Sequence, residues 1–286
     1  MFDVLTTGAV VEELRRTILD GRIQRLGMVD ALTIGMEVYA QHQRFHLIAS
    51  ANAENPRVHL VSSMPSSDPN LITPFSQLMR KYVRGGFITD ITQPPLERII
   101  KLSIAKRMGP AEEELPDEDE DYDDIWSGSN VTKLDLVIEI MGRHSNLVLV
   151  DADGLVRESA KRVTPSMSRV RPILPKRVYE LPPPPDKPDP RQVTSVTMEQ
   201  LLLNSKPTEA LDKVLVRGFR SMSPQTAREV VLRVEGDTKT TVAGIDPGSA
   251  TELARVLRSL YQPMLTGTWD PKVYERESLP VGYGAV

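Results

Sequence analysis

The side chains in this sequence best placed to do chemistry are cationic and hydrogen-bonding rather than nucleophilic. Arg143, His144, Ser145 and Asn146 stand consecutively after Gly142. Two readings fit them: a strand-to-strand loop facing water, with Gly142 at positive φ, or a compact set of donors for phosphate or ribose. A serine and histidine adjacent on a strand point to opposite faces, which argues against a hydrolase. Glu97-Arg98, after Gln93-Pro94-Pro95, is either an exposed pair at a strand entrance or an arginine oriented by a carboxylate toward a phosphate or base. Asp3 is a further exposed acid or an N-terminal cap. Arg80, Lys81 and Arg84 mark the outer face of a helix that follows Thr73. In Gly218 to Arg233 a tight turn feeds a helix start at Ser223-Pro224, with Arg217, Arg220 and Arg228 nearby. Free amides at such a start attract anions, although any helical bundle contains turns of this kind.

Other chemistries lack their residues. Cysteine is absent, which removes disulfides, thiolate nucleophiles and cysteine metal sites. The four histidines show no HExxH spacing, and neither phosphate-loop motif occurs. No cofactor, metal or small-molecule substrate is expected, and the chain reads as a binding module rather than an enzyme. The net charge of −4 is uneven: residues 111–124 hold ten acids and no base, leaving 29 acidic against 35 basic residues and a body of +6. That run reads as a solvated, disordered loop within 111–130, or as a tethered polyanion competing for a basic face. No segment approaches the ~18 apolar residues of a membrane span, and the start carries no export signal, so a soluble, cytoplasmic protein is expected.

The elements that must position these residues follow from hydrophobic period. Val10, Val11, Leu14 and Ile18 share a helical face that ends at Asp20-Gly21. Alternation then predicts about eight antiparallel strands, among them Leu32–Val38, Phe45–Ala49, Val58–Leu60, Phe87–Thr92, Ile99–Ala105, Leu134–Ile140 and Leu147–Val150, with turns such as Asp151–Gly154. A helix capped by Thr73 and Pro74 and closed by Gly85-Gly86 interrupts them. After the proline-rich stretch Leu181 to Pro190 the period becomes 3.6, giving helices at Met198–Leu203, Glu209–Val216, Pro224–Val234 and Ala250–Leu260. The expected domains are 1–183, β-rich; 184–193, a linker; 194–265, helical; and 266–286, a tail or the start of a coiled coil.

EIMGRHSNLVLVD, TPFSQLMRKYVRGGFITDITQPPLERII, TPSMSRVRPILP and Tyr179–Pro182 occur in one order. Together they resemble the NFACT family, once labelled fibronectin-binding A proteins, whose RqcH branch serves ribosome quality control. The resemblance covers residues 1–183 closely and the helical domain through SPQTAREV. It implies an α+β fold: a β-sandwich-like N-terminal domain with flanking helices, similar to that of formamidopyrimidine-DNA glycosylase, then a small all-α helix-two-turns-helix domain. It also implies binding of tRNA, alanyl-tRNA in the family, and of large ribosomal subunits carrying peptidyl-tRNA, in support of C-terminal alanine tailing. The family's N-terminal acid corresponds to Asp3, and its Asp-Arg pair for tRNA engagement to Glu97-Arg98, where glutamate lengthens the arm by one methylene. Arg143, His144, Ser145, Asn146, Arg80, Lys81 and Arg220 form a second tier of nucleic-acid contacts. The family's coiled coil and C-terminal RNA-binding domain do not fit between Leu260 and Val286, so a fragment or shortened homologue is expected. A glycosylase-like DNA-binding protein is one rival, but those enzymes use an N-terminal proline, and Met1-Phe2-Asp3 offers none. A surface fibronectin-binding adhesin is the other.

Deleting residues 111–124 should raise the affinity for non-specific RNA in a filter-binding titration if the acids compete for the basic body; unchanged affinity would leave them as a solvated run.

Overall fold

The computed structural model describes residues 2–108, 130–246, 248–276 and 279–286, so the expectation for the acidic stretch 111–130 lies outside the described residues except at Asn130. The chain forms two compact units: Val10–Pro94 with Arg98–Pro182, and Met1–Ala9 with Pro95–Glu97 and Pro183–Val286. Met1–Ala9 and Pro95–Glu97, read from sequence as part of the β-rich domain, therefore cluster with the C-terminal segment.

In the first unit the hydrogen bonds run through one antiparallel sheet of nine strands, in the order β4-β3-β2-β1-β5-β6-β7-β8-β9. The strands are β1 (Arg22–Asp30), β2 (Thr33–Ala40), β3 (Gln43–Ser50), β4 (Arg57–Val61), β5 (Phe87–Thr92), β6 (Ile99–Arg107), β7 (Val131–Glu139), β8 (Asn146–Asp151) and β9 (Val156–Ser159). All neighbours are antiparallel. The join between the halves is narrow: only Arg22 and Phe87 pair as register partners of β1 and β5. The ranges read from sequence omit β1, whose alternation is broken by a register shift between Ile23 and Arg25, and the short β9.

Helix α1 (Val4–Ile18) ends where Asp20 adopts a left-handed φ of 61°, and Gly21 follows where a Cβ would lie 2.6 Å from Val38 Cγ1. Helix α2 (Pro74–Leu78) starts on a capping box between Thr73 and Ser76, then widens into a π turn over Met79–Val83. Gly85, at φ 86°, reverses the chain into β5. Along β6, Ile100, Leu102 and Ile104 are buried, while Lys101 and Ser103 meet Asp135 of β7 at 2.9 and 2.7 Å. The strand is thus apolar on one face and electrically balanced at its middle on the other.

After β9 the chain is irregular yet anchored. Glu139, at the end of β7, has no solvent exposure and accepts both terminal amino groups of Arg171 and, at 2.8 Å, the Tyr179 hydroxyl. Arg171 also donates from Nε to the Glu180 carbonyl at 2.6 Å and lies 5.1 Å over the Tyr179 ring. Burial opposes the charge on Arg171, but the Glu139 hydrogen bonds and charge outweigh it and raise its pKa. Burial, then Glu139, raises the Tyr179 phenol. This triad explains why the segments around Ser168–Pro172 and Tyr179–Pro182 hold their form without a strand ladder.

The second unit packs α3 (Ser195–Leu203), α4 (Leu211–Gly218), α5 (Pro224–Glu235), α6 (Ser249–Tyr261) and α7 (Pro263–Thr266) around a core that includes Met198, Leu215, Val230, Leu257 and Tyr261. The expected tail or coiled-coil start at 266–286 is instead a hairpin, β10 (Lys272–Arg276) with β11 (Leu279–Gly284). Gly267, left-handed at φ 68°, stops the preceding helix. The hairpin is held within its unit by Gln225 Nε2 donating to the Tyr283 carbonyl at 2.8 Å and by an edge contact of the Phe2 and Tyr283 rings at 6.1 Å.

Arg171→Met leaves Glu139 buried without its cation and should cost about 3–5 kcal/mol in urea unfolding. Adding Glu139→Gln should restore much of that loss; an unchanged midpoint in the single variant would show that the pair does not hold this segment.

Candidate nucleic-acid interface

Two of the acids singled out in the sequence meet one turn of the second unit. Asp3 caps α1, accepting the Thr6 amide on Oδ1 at 2.9 Å. Its Oδ2 accepts the hydroxyls of Ser223 and Thr226 at 2.8 and 3.2 Å. Ser223 is itself the cap of α5, its Oγ accepting the Thr226 amide at 3.0 Å. One carboxylate therefore serves two helix starts, which satisfies its charge although only 9% of the residue is exposed. Asp3 is a cap, as one of its two sequence readings held, and its donors are the Thr6 amide and two side-chain hydroxyls of this chain.

The second acid reaches the same turn. Glu97 accepts Arg220 Nη2 at 2.6 Å, and the same nitrogen lies 3.3 Å from the Pro95 carbonyl. Leu96, buried between them in sequence, adopts φ 57°, and Ser221 of the turn adopts φ 54°. Both are costly conformations for residues with a Cβ. They are held against each other, because Ser221 Oγ donates to the Leu96 carbonyl at 2.7 Å and the Ser221 carbonyl accepts the Tyr261 hydroxyl at 3.3 Å. Burial, then the charges of Asp3 and Asp189, raises the Tyr261 phenol, so it stays a donor at any ordinary pH. Asp189 binds Arg191 through Nε and Nη2, the latter at 2.6 Å. Burial would raise its carboxyl pKa, yet Arg191 and then Arg220 hold it below the usual range. Arg220 is thus engaged within its unit rather than projecting to solvent.

In the sheet unit Arg98 directly precedes β6, and its carbonyl accepts the Ile140 amide at 2.8 Å. That bond extends the β6–β7 ladder to the point where β7 turns into Gly142–His144. The sheet accordingly brings Arg98 to the same end as the Arg143–His144 turn. Arg98 is half-buried, and its guanidinium forms no ion pair among the described residues.

The four-residue polar run divides by direction. Gly142 takes φ 59°, as its loop reading required. Arg143 and His144 are exposed, with Arg143 Nε donating to His144 Nε2 at 3.0 Å. Ser145 and Asn146 are buried: Ser145 Oγ accepts the Met141 amide at 2.8 Å, and the Asn146 amide binds the Leu147 and Lys161 backbone at 2.8–2.9 Å. These two fix the turn and leave Arg143 and His144 as its outward groups. Arg80 and Lys81 are exposed on the π turn. Among the described residues no three metal-ligating side chains gather. Sequence reading recognised the Ser223 cap but missed that its hydroxyl, with that of Thr226, completes Asp3; a cap motif carries no sign of a partner more than two hundred residues away.

Asp3→Ala should destabilise the chain by about 2 kcal/mol in chemical unfolding, because it strands buried donors at two helix starts. Unchanged stability would show that the carboxylate does not bear on either start.

The sequence matches the family model "NFACT N-terminal and middle domains" over residues 3–286. It is 32% identical over 243 residues to the Rqc2 homolog RqcH of Bacillus subtilis (strain 168), covering 84% of this chain and 39% of that protein. The Rqc2 homolog RqcH of Streptococcus suis (strain 05ZYH33) is 28% identical over 237 residues, covering 82% and 39%. The chain thus spans about two-fifths of the length of the curated relatives it matches. Among solved structures, the N-terminal part of the fibronectin/fibrinogen-binding protein from Streptococcus suis aligns with a TM-score of 0.72 at 24% identity, covering 100% of this chain and 90% of that one. The fibrinogen binding protein from Staphylococcus aureus aligns at 0.68 and 24%, covering 99% and 88%. These structures share the fold, and with the family model and the bacterial relatives they lead to one conclusion: the chain belongs to the NFACT family, among the relatives of ribosome quality-control factors.

Proposed function

We propose that this chain is the tRNA- and large-subunit-binding part of a cytoplasmic ribosome quality-control factor that supports C-terminal alanine tailing of stalled nascent chains. The observation that carries the reading is Arg98: a guanidinium with no ion pair among the described residues, at the same end of the sheet as the Arg143–His144 turn. Phosphate contacts of this kind position a nucleic acid without reading its sequence. Arg98 contacts the tRNA backbone or an exposed base, and Arg143 and His144 add donors next to it. Asp3 and Glu97 act indirectly: both hold the turn at Arg220–Ser223, and Glu97 fixes the backbone immediately before Arg98. Glutamate in place of the family's aspartate still reaches Arg220, so the longer arm suits this tie.

The chain is a binder in this reading, and peptidyl transfer belongs to the ribosome. A glycosylase would instead form a covalent adduct on abasic DNA that borohydride traps. The fold neighbours carry names of fibronectin- and fibrinogen-binding proteins, which suggests an adhesin as the second reading; labelling of intact cells with an impermeant reagent would reach an adhesin and spare a cytoplasmic factor.

Arg98→Ala should lower tRNA affinity and make the log–log salt dependence shallower by about one unit. Stability should stay within about 0.5 kcal/mol, as for a surface change. Unaltered tRNA affinity would remove Arg98 from the interface.

A further inference from the structure

The opposite end of β6 carries a second set of cations with a different character. Lys106, half-buried near the end of the strand, donates its ammonium to the Lys81 carbonyl of the π turn at 2.6 Å. Arg84 closes that turn, and a Cβ on the adjacent Gly85 would lie 3.9 Å from Lys106 Cε. Arg22 opens β1 and pairs across β5 through Phe87, whose own register partner is Ala105, the residue before Lys106. None of Arg22, Lys81, Arg84 or Lys106 forms an ion pair among the described residues. Lys101, five residues earlier on the same strand, is matched by Asp135 at 2.9 Å.

Such a cluster works against the free fold. Burial first, then the charges of Arg84 and Arg22, lowers the pKa of Lys106. The unfolded chain binds that proton more tightly, so stability rises with pH in the interval below lysine's ordinary value and the protonated cluster is unfavourable at neutral pH. A bound polyanion would offset the part of that penalty that comes from Arg84 and Arg22. Strands lie about 4.8 Å apart, so the β1 and β6 backbones, with β5 between them, lie about 10 Å apart, and Arg22 and Lys106 leave this edge of the sheet from its two faces. That suits successive phosphates along a strand better than a single small anion. At about 3.3 Å per residue, Lys106 also stands roughly 26 Å from Arg98 along β6, too far to share one phosphate contact with it.

We infer that Arg22, Lys81, Arg84 and Lys106 form a second phosphate-binding surface, which takes the backbone of double-helical RNA independently of the Arg98 end. This rests on the RNA-binding reading above, and its partner is any regular RNA helix rather than a particular tRNA feature.

The test is titration of a plain 20-base-pair RNA duplex and of tRNA, over a range of salt, with residues 1–286 carrying either Arg98→Ala or the triple change Arg22→Ala, Arg84→Ala, Lys106→Ala. The triple variant should lose at least tenfold in duplex affinity at low salt, with a slope shallower by about two to three units. Unchanged duplex binding in the triple variant overturns the second surface, even where Arg98→Ala lowers tRNA affinity and the first site stands. Loss of duplex binding in the triple variant, with no effect of Arg98→Ala on tRNA, supports the surface and removes the first site. Lys106→Gln provides a readout that a purely structural lysine would not give: Tm of the free protein at pH 7 should rise while RNA affinity falls. A lower Tm with unchanged RNA affinity overturns the proposal.

Discussion

A buried carboxylate must find donors, and in this chain that requirement organises the second unit. Asp3 finds them at two helix starts, its own and that of α5, so the N-terminal residues cannot sit apart from the helical segment that follows Pro183. Glu97 makes the same demand on Arg220, three residues before Ser223. The left-handed backbones of Leu96 and Ser221 persist because these ties, with the Ser221–Leu96 hydrogen bond, over-determine them. A segment of three residues, Pro95–Glu97, is thereby drawn into one unit while Arg98 begins a strand of the other. The two charged neighbours therefore differ: the acid fixes chain, and the base forms no ion pair among the described residues.

The sheet unit separates its charges in a similar way. The middle of β6 is balanced by Asp135, and the buried Arg171 is balanced by Glu139. Among the described residues the cations Arg98 and Lys106 at the two ends of β6 form no ion pair, and these ends differ in kind. At the Arg98 end the cation shares one end of the sheet with the exposed pair Arg143–His144. At the Lys106 end burial, and after it the charges of Arg84 and Arg22, depress the affinity of Lys106 for its proton. The formal net charge of −4 conceals this arrangement, since fields that guide nucleic acid depend on where the charge lies.

Much of the fold was legible because period and capping act locally. The alternation of Ile100, Leu102 and Ile104, the caps at Thr73 and Ser223, and the four helices after the proline-rich stretch all appear close to where the sequence placed them. The misreadings have a common physical origin in long-range pairing. Nothing local announces that β1 pairs with β5, and the hairpin at 272–284 lacks clean alternation because Pro280, Gly282 and Gly284 interrupt β11. The same holds for the candidate site. Arg98 and Arg143 could be singled out by type, whereas the inward turn of Ser145 and Asn146 depends on Met141 and Lys161, and Arg220 depends on Glu97. A run of four polar residues looks uniform until the backbone assigns each a direction.

The central claim is that this family member engages tRNA on the large ribosomal subunit. The most direct measurement is crosslinking of the protein in growing cells, followed by sequencing of the recovered RNA. Strong enrichment of alanyl-tRNA together with large-subunit ribosomal RNA is the predicted result. RNA recovered in proportion to its cellular abundance, with neither species enriched, would contradict the account.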